Sequence, residues 1–220
     1  MSTASAGTSY HHGNLRTALV EAGVDAVREL GPDGVALRDL ARRVGVSHNA
    51  AYRHFSDRDE LLAAIADVGM TALTESGAAR LAAVSDPDPV RRARLRLREL
   101  GRGYIDFARR ERGLFRVAFA GYPSLESAPA MDLADSEHAG PFGQLNDCLD
   151  DLVRVGYLSP DARAGAEFAC WAAVHGMSML LLEGPLQKVP DEVATAIIDH
   201  MLTAIDRSQW ASGSDYEPLD

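Results

Sequence analysis

At 220 residues the chain can bury one large core, or carry a small domain joined to a larger one, and its 46% hydrophobic and 25% charged residues suit a globular protein. A net charge of −10 excludes a general nucleic-acid coat, because binding phosphates needs positive surface. The acid is unevenly placed: residues 1–60 carry 7 arginines, 8 acidic residues and 4 histidines, and the other 9 excess negative charges lie in residues 61–220.

Residues 1–9 are small and polar and read as a disordered arm without the apolar core of a signal peptide. Tyr10-His11-His12-Gly13-Asn14 leads into a first helix, with Asn14 as its N-cap. The His11-His12 pair has no partner ligands at metal spacing, so it reads as part of an arm that can lie along a charged partner rather than as a metal site. Leu15, Leu19, Ala22, Ala26, Val27 and Leu30 form one apolar stripe, which Gly31-Pro32 stops.

The next stretch carries the function. Leu37, Leu40, Ala41 and Val44 recur at i, i+3, i+4 and i+7, one face of a helix. Gly45 ends it, since glycine enters the left-handed conformation without a Cβ penalty, and Ser47 caps the second helix of the pair. About one turn separates the two helices, so they cross sharply. This is a helix-turn-helix, with His48 to His54 as the helix that enters a DNA major groove. The first helix packs across it and closes a three-helix core with Phe55.

Ser56 with Asp59 approximates a capping box for a helix carrying Leu61, Leu62, Ile65, Ala66, Val68 and Leu73 to about Val84, long enough to link two domains. Asp86-Pro87-Asp88-Pro89 is the clearest break. From Val90 to Arg112 runs a helix holding 9 arginines around an apolar ridge of Ala93, Leu97, Leu100, Tyr104 and Ala108. Their angular spread argues for a solvated face with i, i+4 pairs rather than a nucleic-acid stripe. A short helix, Leu114 to Ala120, precedes a loop over 123–135. A helix ending at Val155 carries Phe142, Leu145, Cys148, Leu149 and Leu152, with Asp147, Asp150 and Asp151 as solvated acids on its outer face. Cys148 and Cys170 make no disulfide framework and read as small buried hydrophobes.

Ser159-Pro160-Asp161 starts a helix to about Glu183 that is apolar nearly all round between Phe168 and Leu182. Pro190-Asp191 starts the last helix, again with more apolar surface than one stripe requires. Two terminal helices of this kind point to a homodimer joined through a four-helix interface. With no strand pattern, the expectation is an all-α chain of about nine helices. It divides into an arm (1–13), a three-helix helix-turn-helix domain (14–60), a larger helical C-terminal ligand-binding and dimerisation domain (61–207, of which 61–84 is a linking helix) and a flexible tail (208–220). No run approaches the ~20 apolar residues of a membrane span, so a cytoplasmic location is expected.

Over roughly Asn14 to Asp67 the sequence resembles the tetracycline-repressor (TetR) family. The carriers are the L-A-x-x-x-G-V-S corner, the aromatic-x-x-Phe ending at Phe55, and the charged start of the fourth helix. Tyr10 to Arg16, and the later Trp171-Ala-Ala-Val-His175-Gly176, resemble a subgroup with a W…HG signature in its C-terminal domain. The resemblance implies a dimer, a palindromic double-stranded DNA operator, and a pocket for a small apolar or aromatic effector. Repression is the family's common outcome; a helical adaptor or an activator of the same fold is the alternative.

Within the reading helix, Ser47, His48 and Asn49 face DNA first: asparagine can grip adenine bidentately and His48 can donate to a guanine edge. Ala50 suits a thymine methyl. Tyr52, Arg53 and His54 match positions that bind phosphates or outer base edges in similar proteins, with packing against the first helix as the other reading of Tyr52 and His54. Arg38 and Arg58, at the starts of their helices, are expected to clamp the DNA backbone. In the C-terminal part, Trp171 and His175 share a helix face. They are either a packed core pair or part of an effector cavity with Phe107, Phe115, Phe119, Phe142 and Met179. No nucleophile elbow, Cys-His or H-E-x-x-H arrangement, metal set or phosphate loop is present, so neither enzyme activity nor a cofactor is expected.

Overall fold

A computed structural model of the chain describes residues 12–120 and 140–208. The expectations for the arm, the loop over 123–135 and all of the tail after residue 208 lie outside the described residues. Among these there are ten α-helices, one 3₁₀ turn and no strand. The helices are α1 (His12–Leu30), α2 (Leu37–Val44), α3 (His48–Ala51), α4 (Arg58–Ala83), α5 (Pro89–Arg110), α6 (Arg112–Ala120), α7 (Gly140–Arg154), α8 (Pro160–Arg163), α9 (Ala166–Leu182) and α10 (Asp191–Ser208). The 3₁₀ turn, Pro32–Gly34, lies between α1 and α2.

The chain forms two compact units, Met1–Gly69 with Gly113–Gly121, and Met70–Arg112 with Tyr122–Asp220. The division therefore falls inside α4 rather than at its start, and α6 joins the first unit. In that unit Leu15, Leu19, Val24, Val27, Leu37, Leu40, Ala51, Phe55, Leu61 and Ile65 are buried, with Leu114, Phe115, Val117 and Ala118 of α6. α1 begins at His12, so Asn14 sits within its first turn rather than before it. Leu30 and Val68, expected on buried stripes, are 59% and 38% exposed. Gly113 is required here by sterics, since a Cβ would stand 2.3 Å from the Val27 carbonyl oxygen.

The cap of α4 lies one residue later than expected. Asp57 Oδ1 accepts the Glu60 amide at 2.8 Å, and the Ser56 amide donates to Glu60 Oε2 at 2.7 Å. The reciprocal bonds thus run between Asp57 or Ser56 and Glu60, and Asp59 points to solvent. Asp57 keeps a lowered pKa, chiefly because it accepts the Glu60 amide.

In the second unit α5 packs against α7, α9 and α10. Ala93, Leu149, Leu152, Tyr157, Leu158, Ala166 and Cys170 form one buried cluster, and Leu81, Leu100 and Cys148 another. Both cysteines are buried and free, and burial pushes their thiols up, to about 12 for Cys148 and about 11 for Cys170. The arginines of α5 correct the expectation of i, i+4 pairing, because they reach acids on other helices. Arg94 holds Asp206 and Arg102 holds Asp199, both on α10; Arg109 meets Asp191 at 2.6 Å, and Arg96 meets Asp151 of α7 at 3.3 Å. From α4, Arg80 bridges to Glu99 at 2.7 Å and Asp106 at 2.5 Å.

The helix expected from Pro160 to Glu183 is broken. Ser159 caps α8 by accepting the Ala162 amide, but α8 lasts one turn, and Gly165 at φ 80° turns the chain into α9. On α9, Phe168, Met179 and Leu180 are 44%, 36% and 41% exposed, and Val193 of α10 is 45% exposed. Ala169, Ala172, Gly176 and Ala196 are exposed with them. No described helix is long and apolar enough to cross a membrane.

Candidate nucleic-acid interface

The corner between α2 and α3 is built as its sequence dictates. Gly45 adopts φ 79°, the Val46 amide bonds to the Ala41 carbonyl at 2.9 Å, and the Gly45 amide to that of Arg42 at 3.2 Å. Ser47 Oγ then accepts the Ala50 amide at 3.2 Å and opens α3. The α-helical part of α3 stops at Ala51, shorter than the expected His48–His54. Tyr52 to His54 continue as turns, held by Tyr52 N–H to His48 O at 3.1 Å and His54 N–H to Ala51 O at 3.0 Å. Fully buried Ala51 and Phe55 dock this short segment on the core. The Arg16 guanidinium covers the Phe55 ring at 4.8 Å.

Docking in this way sends the remaining side chains outward. Ser47, His48, Asn49, Tyr52 and Arg53 are exposed, while Ala50 and His54 are half-buried. Tyr52 is 44% exposed and lies against the His48 ring at 4.3 Å. Arg38 is exposed at the start of α2, where Ala36 supplies no side-chain cap. Among the described residues Arg38 and Arg53 enter no ion pair, whereas Arg42 and Arg43 are tied to Asp39 and Glu29. This surface can present a hydrogen-bonding edge (His48, Asn49), an aromatic hydroxyl and two uncompensated cations to a polyanion.

Arg58 is placed differently from expectation. Its Nε donates to the Val35 carbonyl at 3.0 Å and its Nη2 to the Pro32 carbonyl at 2.7 Å, while Nη1 lies 3.8 Å from Asp59. Two of its donor groups are thus spent on the chain entering α2. Only the spatial return of α4 beside the 3₁₀ turn creates these bonds, and residue spacing carries no sign of it.

The expected effector residues separate. Phe142, Trp171 and His175 come together: Phe142 meets Trp171 edge-on at 6.3 Å, and Trp171 meets His175 at 5.9 Å. Two further residues complete the cluster. Trp171 Nε1 donates to the Tyr104 oxygen at 3.3 Å, Tyr104 and His175 Nδ1 share a hydrogen bond of 2.9 Å, and Phe168 packs on Phe142 at 5.9 Å. Burial raises the Tyr104 pKa and lowers that of His175, which favours the neutral form of each. Phe115 and Phe119 belong instead to the first unit, 4.8 Å from each other. Phe107 borders a separate open cleft of about 810 Å³ with Ala72, Arg80, Leu95 and Glu99, and Met179 is on the exposed side of α9. Tyr104 was visible in the sequence as part of the α5 ridge, but not as a partner of His175. Among the described residues no group of three or more His, Cys, Asp or Glu could hold a metal ion.

Residues 19–65 match the family profile described as bacterial regulatory proteins, tetR family, and residues 97–205 match that of the tetracyclin repressor-like C-terminal domain. Over 60 residues the chain is 37% identical to the HTH-type transcriptional repressor Rv3405c of Mycobacterium tuberculosis, covering 27% of this chain and 32% of that protein. The chain thus spans about a third of the first curated relatives it matches. A solved structure of a protein with unknown function from Rhodococcus sp. RHA1 superposes with a TM-score of 0.70 at 29% identity, covering 89% of this chain and 97% of that one. A TetR variant from Acinetobacter baumannii AYE in complex with minocycline shares the fold, with a TM-score of 0.57 at 17% identity over 86% and 93% of the two chains.

Proposed function

Because the chain belongs to the TetR family of bacterial regulatory proteins, we propose that it is a cytoplasmic repressor that binds a palindromic operator as a homodimer and leaves it when a small apolar or aromatic effector binds the second unit. The observation that carries this reading is the exposed set Arg38, His48, Asn49, Tyr52 and Arg53 around a capped corner in an otherwise acidic chain. Asn49 and His48 read base edges, Ser47 and Ala50 border them, and Arg38, Arg53, Tyr52 and His54 meet phosphates and outer edges. With so few cations, affinity rests on two heads fitting successive grooves at once, about 34–36 Å apart or a multiple of that spacing.

The exposed apolar faces of α9 and α10 support pairing with a second copy, since a single soluble molecule gains nothing from them. The effector enters beside Phe142, Trp171 and His175, and a fold relative solved in complex with minocycline is in keeping with a small-molecule effector. Effector binding favours a conformation in which α4 no longer sets the heads at groove spacing, a shift of populations rather than a new contact with DNA.

The test is selection of bound fragments from random duplex DNA, followed by gel shift on the winner with a panel of aromatic and acyl compounds. An inverted repeat whose shift a compound abolishes supports the proposal. Recovery of no preferred sequence sinks it.

A further inference from the structure

Arg58 stands on the first residue of α4, and its two hydrogen bonds end on Pro32 and Val35, directly before α2. Every further link to the reading side chains is short. Val35 is 2% exposed, and its amide closes the 3₁₀ turn on the same Pro32 carbonyl at 3.2 Å. Ala36 follows at the N-cap position, its carbonyl accepting the Asp39 and Leu40 amides of α2, whose end at Gly45 and Ser47 sets α3. The backbone that carries Arg58 is fixed too, since α4 begins on the Asp57–Glu60 cap and its Leu61 and Ile65 are fully buried.

We infer that Arg58 is a positioning residue for DNA reading: it fixes α2 and α3 to the start of α4, so that the placement of α4 determines where His48 and Asn49 point. The inference rests on the proposed regulator function and replaces a phosphate clamp at this position with an internal brace. A planar guanidinium suits this task because Nε and Nη2 donate from two separate positions held in one rigid plane, whereas an ammonium donates from a single atom on a flexible stem. A brace and a clamp also differ measurably. Losing a phosphate contact weakens all DNA alike and lowers the salt slope by about one, whereas losing a brace spares backbone attraction and blurs base choice.

The experiment compares wild type, Arg58→Ala and Arg58→Lys on the selected operator and on unrelated duplex, across a salt series, at a temperature where circular dichroism shows each variant folded. For Arg58→Ala the operator preference falls about tenfold, the size of one lost base contact, while the salt slope on unrelated duplex stays at the wild-type value. Arg58→Lys, which can reach one carbonyl but not span both, falls between and stands in if the alanine variant does not fold. A slope lowered by about one with preference intact overturns the inference in favour of the clamp, and so does no change in either quantity. A wild type that selects no sequence overturns the regulator reading and this inference with it; a selective wild type with an equally selective Arg58→Ala overturns the inference alone.

Discussion

Arg94 of α5 and Asp206 of α10 form a two-point pair, Nε to Oδ1 at 3.1 Å and Nη2 to Oδ2 at 2.5 Å, with the side chains only 6% and 12% exposed. Tyr157 completes it by donating to the Asp206 carbonyl at 2.7 Å and placing its ring 4.8 Å from the guanidinium carbon. Burial pushes the Tyr157 hydroxyl up to about 12, so it remains a donor throughout the useful pH range. Such a pair is costly to break rather than strongly stabilising when whole. Asp206→Ala leaves a cation stranded and is expected to lower stability by about 3–5 kcal/mol in urea unfolding. Replacing both residues by leucine recovers most of that loss; a double variant as unstable as the single one would contradict this account.

Base reading and phosphate binding separate by residue. Asn49→Ala is expected to cost about 1–3 kcal/mol at one base position of each half-site and little elsewhere, which repeated selection from random DNA detects. Arg53→Ala should instead weaken every sequence and reduce the salt slope by about one. Both side chains are exposed, so melting temperatures should stay near wild type.

The apolar faces of α9 and α10 predict the assembly. Leu180→Glu with Val193→Glu places two charges on surface that is already 41% and 45% exposed, so the single chain should keep its helical signal. Analytical ultracentrifugation should show the particle mass halved relative to wild type. Operator affinity should drop by roughly 100-fold or more, the scale of a lost second attachment.

His175 is expected to add an acid-sensitive contribution to stability. Burial lowers its pKa from the ordinary 6.5, so on acidification the unfolded chain takes up the proton before the folded one. This contribution to stability is complete above about pH 6.5 and is lost as the pH falls through the window between the ordinary and folded values. His175→Asn should flatten this part of the profile. Urea midpoints at about pH 7.5 and about pH 5.5 should move further apart in wild type than in the variant.

Much of the architecture is legible because helix ends are written in local chemistry. Gly45, Ser47 and Ser159-Pro160 act within a few residues of themselves, and the structure uses each as its sequence indicates. Even local signals compete, however: at the start of α4, Asp57 outdoes Ser56 as the cap because a carboxylate is the stronger acceptor. Gly165 breaks the expected helix just ahead of its apolar run, because a positive φ leaves no trace in hydrophobic spacing.

What the sequence hides is pairing across long separations. The α5 arginines look solvated in one dimension and are clamps in three, because Asp199 and Asp206 lie about a hundred residues away. The aromatic set fails for the same reason. Phe115 and Phe119 share a residue type with Phe142 but belong to another unit, whereas Tyr104 joins Trp171 and His175 through a hydroxyl whose partners spacing cannot name. Arg58 is the sharpest case, since a cation at a helix start suits either a phosphate or the chain's own carbonyls.

The single turn of α3 has an evolutionary consequence. Its inward residues, Ala51 and the nearby Phe55, are fully enclosed, and its outward ones, His48, Asn49 and Arg53, stand in solvent. Exchanges among the outward set leave the core untouched, so a lineage can drift to new target sequences one side chain at a time without an unstable ancestor along the way. The same division restrains the inward set, where a single added methylene would lift the whole turn from its seat.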